Sequence, residues 1–355
     1  MMSTSTIDNT SAFAIRSIRH REPFSFTEEF RDWDLHYRQT AAGNFESFTR
    51  VLTVPGLHLS LKEDRIAHIE WGACLPGTFV FGIPWDSVGE SRFNGRAWCG
   101  QIIALRGEQA FEAFVMPMKM LVVALSRSFV IDYLLEVEGA NADDWLLDGA
   151  RQLLVTDSRR MHIIDSLTGL LNACDVDGFH LSEPSIQRAL LNATMEVLAA
   201  LILGNLAPSR RISCEVSRAQ VVRRARDYLV GRIEEPVQVL DVCRALNVSR
   251  RTLQYSFQDV LKLNPVAYLR LLRLNGARRD LTNVQRHPVQ VKDVVARWGF
   301  WHLSRFSAEY RQLFHELPSE TLRLATGLLP ADGREGNGAV GPAASIRLDI
   351  PGTLA

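Results

Sequence analysis

Residues 242–258 read VCRALNVSRRTLQYSFQ, and the reading of this stretch decides what the second half of the chain is. Val239, Val242, Cys243 and Leu246 recur at i, i+3, i+4 and i+7, the spacing of a short helix with one buried face. Asn247 and Val248 follow, and Asn accepts a left-handed backbone, so a tight turn is expected there. Ser249 can cap a second helix by accepting from its free backbone N–H groups. In that helix Leu253, Phe257 and Val260 share the inward face, leaving Arg251, Gln254, Tyr255 and Gln258 on the other, with Arg250 beside them. A short helix, a turn and a second helix presenting Arg and Gln describe a helix-turn-helix, in which Arg bonds guanine and Gln bonds adenine in a bidentate manner. A solvated helix face would show the same residues, so one such stretch is not decisive.

A second stretch repeats the design. Val291, Val294, Val295 and Trp298 form another apolar face, Gly299 gives the turn, and Phe300 turns inward. Leu303, Phe306, Tyr310 and Leu313 are then expected on the buried side of a further helix, with Trp301, His302, Ser304 and Arg305 at its start, where base or phosphate contacts fall. Between the two, Asn264 and Pro265 are an N-cap and first-turn pair opening the helix VAYLRLLRLNGARRDL, which would join the units rigidly.

Charge supports an anionic partner for this part of the chain. The 355 residues hold 40 basic and 40 acidic side chains, yet Ser217–Pro330 holds 19 basic against 10 acidic, and 17 of those 19 are Arg. Everything before Ser217 is acidic on balance, with 19 basic and 27 acidic. Arg suits phosphate and base edges.

The first half reads differently. FTRVLTV, LHLSL, AHIEWGA, TFVFGI, GQIIAL, AFEAFVM and KMLVVAL are short apolar or alternating runs broken by Gly and Pro, the signature of a β-sandwich or barrel. The period then lengthens, and RSFVIDYLLEV, ADDWLLDGARQLLV, RRMHIIDSLTGLL and PSIQRALLNATMEVLAALILGNL read as helices. Residues before about 45 support no assignment. The resulting division is a sensing and dimerisation domain over 1–206, a linker over 207–217, a DNA-binding domain over 218–326 and a disordered tail over 327–355, rich in Gly, Pro and Ala. The five cysteines show no metal or redox spacing, there is no signal-peptide pattern, and the apolar run at Val197–Leu203 is too short to span a bilayer; a cytoplasmic protein without a membrane partner is expected.

The segment from about Arg218 to Leu324 resembles the DNA-binding domain of the AraC/XylS family of bacterial transcription regulators. The matching residues are VLDVCRALNVSRRTLQYSFQ, NPVAYLRLLRLNGAR and VKDVVARWGFWHLSRFSAEYRQLFHELPSETLR. The resemblance implies an α+β protein: an N-terminal cupin-like β-barrel with helices, followed by an all-α domain with two helix-turn-helix units. It implies a homodimer that binds double-stranded DNA and RNA polymerase, responds to a small-molecule effector and activates a catabolic operon. Carried over by position, the DNA-binding residues are Ser249, Arg250, Arg251, Gln254 and Tyr255 in the first unit and His302, Ser304 and Arg305 in the second. The chain departs from the family at Ala308, Val295 and His315, where Arg, Ala and Gly are frequent. Within the family, RVLTV and CLPGTFVFGIPWD resemble regulators of ethanolamine-utilisation operons, which implies sensing of ethanolamine with adenosylcobalamin, and no cofactor required for folding.

A small ammonium ligand needs an aromatic cage or a carboxylate. Glu70, Trp71, Phe79, Phe81, Trp85 and Trp98 supply those types near expected strand ends, although any single aromatic there is more readily read as core. The competing class is a cupin-type metal enzyme fused to a DNA-binding domain. His68 and Glu70 share a strand face, and His58 is the nearest additional ligand, but no second neighbouring His completes a cupin motif. No Ser-His-Asp, P-loop or dinucleotide fingerprint occurs, and the chain is not expected to be an enzyme.

Overall fold

The computed structural model describes residues 14–25, 32–140, 142, 145, 149–174, 181–205, 213–232, 237–283, 290–300 and 302–326. The N-terminal half holds two antiparallel sheets. One has seven strands in the order β1 (Ala14–His20), β3 (Ser47–Val54), β4 (Leu57–Asp64), β11 (Met118–Ser126), β6 (Thr78–Trp85), β9 (Ile102–Arg106) and β12 (Arg151–Leu153). The other has five, in the order β2 (Asp34–Gln39), β5 (His68–Ala73), β10 (Phe111–Val115), β7 (Ser91–Phe93) and β8 (Arg96–Trp98).

The central strands of both sheets are largely buried, and the period of two sorts their side chains between layers. On the seven-stranded sheet, Leu57 and Leu59 of β4 and Phe79, Phe81 and Ile83 of β6 pack against three helices: α1 (Arg127–Glu138), α2 (Asp157–Ala173) and α3 (Pro184–Leu203). Their strand neighbours Val80, Met120 and Ala124 face the five-stranded sheet, meeting Leu35, Tyr37, Phe93, Phe111 and Ala113. On the far face of the five-stranded sheet, Ile69 and Trp71 belong to the hydrophobic core of the C-terminal domain, with Phe114 packed against it. The layers therefore run helices, seven-stranded sheet, five-stranded sheet, DNA-binding domain. α3 is long and apolar enough to cross a membrane, but here it is a core helix that buries Leu190, Met195, Leu198, Leu201 and Ile202 under the sheet.

The C-terminal domain is α4 (Ser213–Val230), α5 (Val239–Leu246), α6 (Arg250–Leu261), α7 (Pro265–Thr282), α8 (Val291–Arg297), α9 (Leu303–Phe314) and α10 (Pro318–Ala325). The expected caps form: Asn264 Oδ1 accepts from the Ala267 N–H at 2.8 Å, with Pro265 in the first turn of α7. α9 ends at His315, whose φ of 59° is the left-handed conformation; that explains why glycine suits this position in the family.

Several expectations need correction. The strands form two open sheets packed face to face and, among the described residues, no closed barrel. The run ADDWLLDGARQLLV is not simply helical: Arg151–Leu153 is a strand, with Gln152 opposite Ile103 on β9. Three residues are too few for a period to show, and pairing decides their conformation. β1 and β2 lie in the region that supported no assignment. α4 begins at Ser213, inside the segment read as a linker. Leu303, expected inward, is half exposed. Trp301 and the segment 327–355 lie outside the described residues.

One glycine shows how tightly the second unit is packed. A Cβ on Gly276 of α7 would lie 1.9 Å from the Trp298 ring, whose Nε1 donates to Asp280 at 2.9 Å. In an open helix Gly→Ala gains about 1 kcal/mol; here the ring must move, and overpacking costs about 1–3 kcal/mol. Gly276→Ala is therefore expected to lower stability in urea denaturation, and a variant as stable as its parent would contradict this packing.

Candidate nucleic-acid interface and sensor cavity

The first unit is built as its spacing dictates. Val242, Cys243 and Leu246 are buried on α5, and Asn247 ends that helix at φ 54° and ψ 47°. Ser249 Oγ accepts from the Thr252 N–H at 3.0 Å and so caps α6. Leu253, Phe257 and Val260 are buried, while Ser249, Arg250, Arg251, Gln254 and Tyr255 are exposed together at the N-terminal part of α6. The Arg251 guanidinium lies 5.4 Å from the Tyr255 ring centre and donates to its hydroxyl at 3.4 Å, so the two side chains stand together on the exposed face. The helix N-terminus beneath them favours phosphate.

The second unit repeats this with one difference. Phe306, Tyr310, Leu313 and Phe314 are buried, and His302, Ser304 and Arg305 are exposed at the start of α9. Arg305 Nε donates to Glu309 at 3.0 Å, and Glu309 is also gripped by Arg270 of α7 through two hydrogen bonds. The Arg of the second unit is thus tethered to a carboxylate, a relation that i, i+4 spacing makes visible in the sequence once α9 is assigned.

Between the two sheets lies a small cavity of about 80 Å³. Trp33, Leu35, Phe93, Trp98, Ile103, Leu105 and Phe111 make most of its wall, and Thr49, His58, Ser60, Lys62, Tyr37 and Glu70 give it a polar side. Lys62 Nζ lies 3.1 Å from Asp64 and 3.5 Å from Glu70, and 4.5 Å from the Tyr37 ring centre. Tyr37 donates to Glu70 at 3.0 Å. Burial disfavours the Lys62 ammonium, but the two carboxylates more than offset it and its pKa stands above the ordinary value. Burial holds His58 down at about 4, with help from Arg16, and also keeps His68 below its ordinary value.

Of the six candidate effector residues, the structure brings Glu70 and Trp98 to the cavity. Phe79 and Phe81 point the other way and meet Trp145 at 5.3 and 5.8 Å between ring centres. Trp71 faces the DNA-binding domain, and Trp85 lies in a surface groove with Arg19, Phe48 and Lys119. Sequence reasoning missed Tyr37, Lys62 and Trp33. The alternation of Lys62 and Asp64 with Leu61 and Glu63 on β4 was the available signal for Lys62. His58 and His68 do not converge with Glu70 on a metal site: His68 Nε2 is 4.0 Å from Glu70, His58 packs on Trp33, and no group able to hold a metal is found among the described residues.

The outer face of the five-stranded sheet is charged where it meets the DNA-binding domain. Glu112 of β10 accepts from Arg226 of α4 at 3.3 Å, both side chains being nearly inaccessible. Burial pushes the Glu112 carboxyl up to about 7 against the opposing pull of Arg226 and Arg223. A carboxyl raised in the folded protein binds more protons there than in the unfolded chain, so its contribution is present below the ordinary 4.5 and is lost as pH rises through about 7. Across that window the loss is on the order of 3 kcal/mol. Glu112→Gln should flatten the fall in stability between about pH 5 and about pH 8, measured by urea titration at each; an unchanged slope would show that Glu112 is not its source.

A family model described as "Helix-turn-helix domain" matches residues 242–324. A probable thc operon regulatory protein of Rhodococcus erythropolis is 41% identical over 103 residues, covering 29% of this chain and 31% of that protein. The XylDLEGF operon transcriptional activator 2 of Pseudomonas putida is 29% identical over 119 residues, 32% of this chain and 76% of that protein. Regulatory protein HrpB of Ralstonia nicotianae is 36% identical over 101 residues, 28% of this chain and 21% of that protein. The chain thus spans less than a third of the length of two of these relatives. Among solved structures, a probable AraC family transcriptional regulator from Rhodopseudomonas palustris is 29% identical, with 30% of this chain and 97% of that one covered at a TM-score of 0.28. ToxT from Vibrio cholerae O395 is 14% identical, with 89% and 99% covered at a TM-score of 0.29, too low for any argument. Sequence match and helix geometry agree on the same segment: the C-terminal domain of this chain contains a helix-turn-helix domain, similar in sequence to those of known transcription regulators.

Proposed function

We propose that the protein is a sequence-specific DNA-binding transcription regulator whose N-terminal sandwich binds a small molecule. The observation that carries this reading is the paired exposure of Arg251, Gln254 and Tyr255 on α6 and of His302, Ser304 and Arg305 on α9, at the starts of the two second helices of a basic domain. Base contacts from α6 set the sequence, and the surrounding arginines hold phosphate. A cytoplasmic homodimer that meets RNA polymerase and activates a catabolic operon belongs to the same reading. Exposed Leu135 and Val137 on α1 and Met161 on α2 support a face for a second copy. Sedimentation gives the oligomeric state, and a promoter fusion the sign of regulation.

The ligand reading rests on the cavity. Its wall favours a compact, largely apolar molecule with one polar group directed at Tyr37, Lys62 and Glu70. Ethanolamine, drawn from the resemblance at FVFGIPWD, would have to share Glu70 with Lys62 and Tyr37. Adenosylcobalamin is too large for this cavity and would act from another surface. Calorimetry with ethanolamine, with and without adenosylcobalamin, tests that pair directly.

Two variants separate the functions. Arg251→Ala should weaken binding to a selected duplex by about 1–3 kcal/mol and relax preference at one base pair, with steep salt dependence retained; affinity equal to the parent's would remove Arg251 from the reading face. Gly82 faces the cavity, and a Cβ there would meet Met120 Sδ at 3.5 Å and Ile103 at 3.7 Å, ordinary contact distances. Gly82→Leu should fill the cavity, abolishing the thermal shift given by any small-molecule hit while leaving DNA affinity unchanged. A hit that still shifts the variant would place its site elsewhere.

A further inference from the structure

We propose that Gln39, at the end of β2 in the sensor half, is a positioning residue for DNA recognition: it fixes α9 from its C-terminal end. The proposal rests on α9 being a recognition helix. A helix leaves its last four carbonyls without intrahelical donors. In α9 the Arg311 carbonyl is served by the His315 N–H. The Leu313 carbonyl is served by the sensor half, from the Gly43 N–H at 3.0 Å and from Gln39 Nε2 at 3.2 Å.

Gln39 shapes the donor it works with. Its two Nε2 hydrogens serve three carbonyls, those of Gly43 at 2.6 Å and Ala41 at 2.8 Å most closely and that of Leu313 by sharing, and the two short bonds fold the loop after β2 back on itself and aim the Gly43 amide at the helix. Gly43 has φ +135°, and a Cβ there would come within 3.0 Å of Ile66 Cδ1, so this loop geometry calls for glycine. The backbone of Gln39 is tied as well. Its N–H donates to Asn275 Oδ1 at 3.3 Å and its carbonyl accepts from Asn275 Nδ2 at 3.1 Å, so the Asn275 amide pairs with β2 as a neighbouring strand would. Asn275 lies on α7, the helix that joins the two units. One fully buried residue therefore holds both the joining helix and the second recognition helix. Arg278 of α7 strengthens the same corner by bonding Glu22 of the sensor half twice at 2.7 Å and Glu316, just beyond α9, at 2.9 Å.

This grip leaves the reading residues uncovered. His302, Ser304 and Arg305 are exposed at the opposite end of α9, so the sensor half acts on this helix by aiming it and not by masking it. A twelve-residue helix is about 18 Å long, and a small tilt about Leu313 is magnified at Ser304. The cavity reaches this grip along one strand: Tyr37, whose ring lines the cavity, is two residues before Gln39 on β2. A ligand that moves Tyr37 thus acts on the strand end that aims α9.

The test uses the full chain. A duplex is selected from a randomised pool with the parent protein, and Arg251→Ala and Arg305→Ala mark the base pairs read by α6 and α9. Gln39→Ala should lose discrimination at the α9 base pairs by roughly two- to thirtyfold, the range of energetic coupling between linked sites, while discrimination at the α6 base pairs is kept. Amide exchange of the last turn of α9 should quicken in the same variant. Gly43→Ala, outside the strand, should give the same split and carries the test if Gln39→Ala does not fold. Equal losses at both sets of base pairs, or none, overturn the proposal. Failure of the parent to select any duplex would sink the DNA-binding reading with it, whereas selection with unmoved α9 preferences sinks this proposal alone.

Discussion

The Trp71 ring is where the two halves of the chain become one structure. It projects from β5 into the hydrophobic core of the C-terminal domain, with Arg38 of the sensor half 4.7 Å from its centre, Arg226 of α4 at 5.5 Å, and His36 stacked on it at 5.2 Å. Two guanidinium groups on one indole would repel; the π-face attracts both, and Glu112, which accepts from Arg226, lies beside them. Burial lowers the pKa of Arg38, a sign of how little water reaches this seam. Around Trp71 the sheet is covered on both sides, because its other side lines the cavity. Side-chain alternation then assigns each of its residues to one of two tasks, since Glu70 and Tyr37 meet the cavity and Trp71 and Arg38 meet the DNA-binding domain.

The polar side of the cavity is costly and therefore informative. Lys62, Asp64 and Glu70 are each under a tenth exposed, and a buried charge survives only when it is paired and hydrogen-bonded. Asp64 is held below its ordinary pKa although burial opposes this, because Lys62 and His68 lie close and Ser47 donates to it at 2.7 Å. Apolar residues would pack the same space with less penalty. The charged trio therefore stands as a paired polar cluster against a mostly apolar wall.

How much of this could be read beforehand differed by layer. The helix-turn-helix units were legible because each has one buried face and one exposed one, so Val242, Leu246, Leu253 and Phe257 stand out at helical spacing, and short-range signals at Asn247, Ser249, Asn264 and Gly299 mark the turns and caps where the structure has them. The sandwich strands were legible as strands, since β3 to β6 and β9 to β11 coincide with the apolar runs. Their faces were not. In TFVFGIPW every residue except the last is buried, so nothing in the sequence says that Phe79 and Phe81 meet helices while Val80 and Gly82 meet the cavity. Trp71 was misread for the same reason, because a strand covered on both sides hides which cover is a ligand and which is another domain. Gln39 was invisible because its partners Leu313 and Asn275 are more than two hundred residues away.

The two helix-turn-helix units share a plan but differ in how their exposed arginines are held. The second helix of each unit ends in a left-handed residue, Lys262 after α6 and His315 after α9, and each end is held by the N-terminal half: Lys262 by Glu90 at 3.3 Å, and α9 through Leu313. At their beginnings they diverge. Arg251 leans only on Tyr255, itself exposed, so both side chains can turn to base edges without leaving a buried partner behind. Arg305 must first give up Glu309, which Arg270 also holds, and Ala308 on the same exposed face offers no donor. Exchanging a carboxylate for a phosphate keeps a charge-assisted bond, whereas exchanging it for a neutral base edge gives up charge pairing. Arg251 is therefore the freer of the two to turn to a base edge, and Arg305 reaches one only by giving up Glu309.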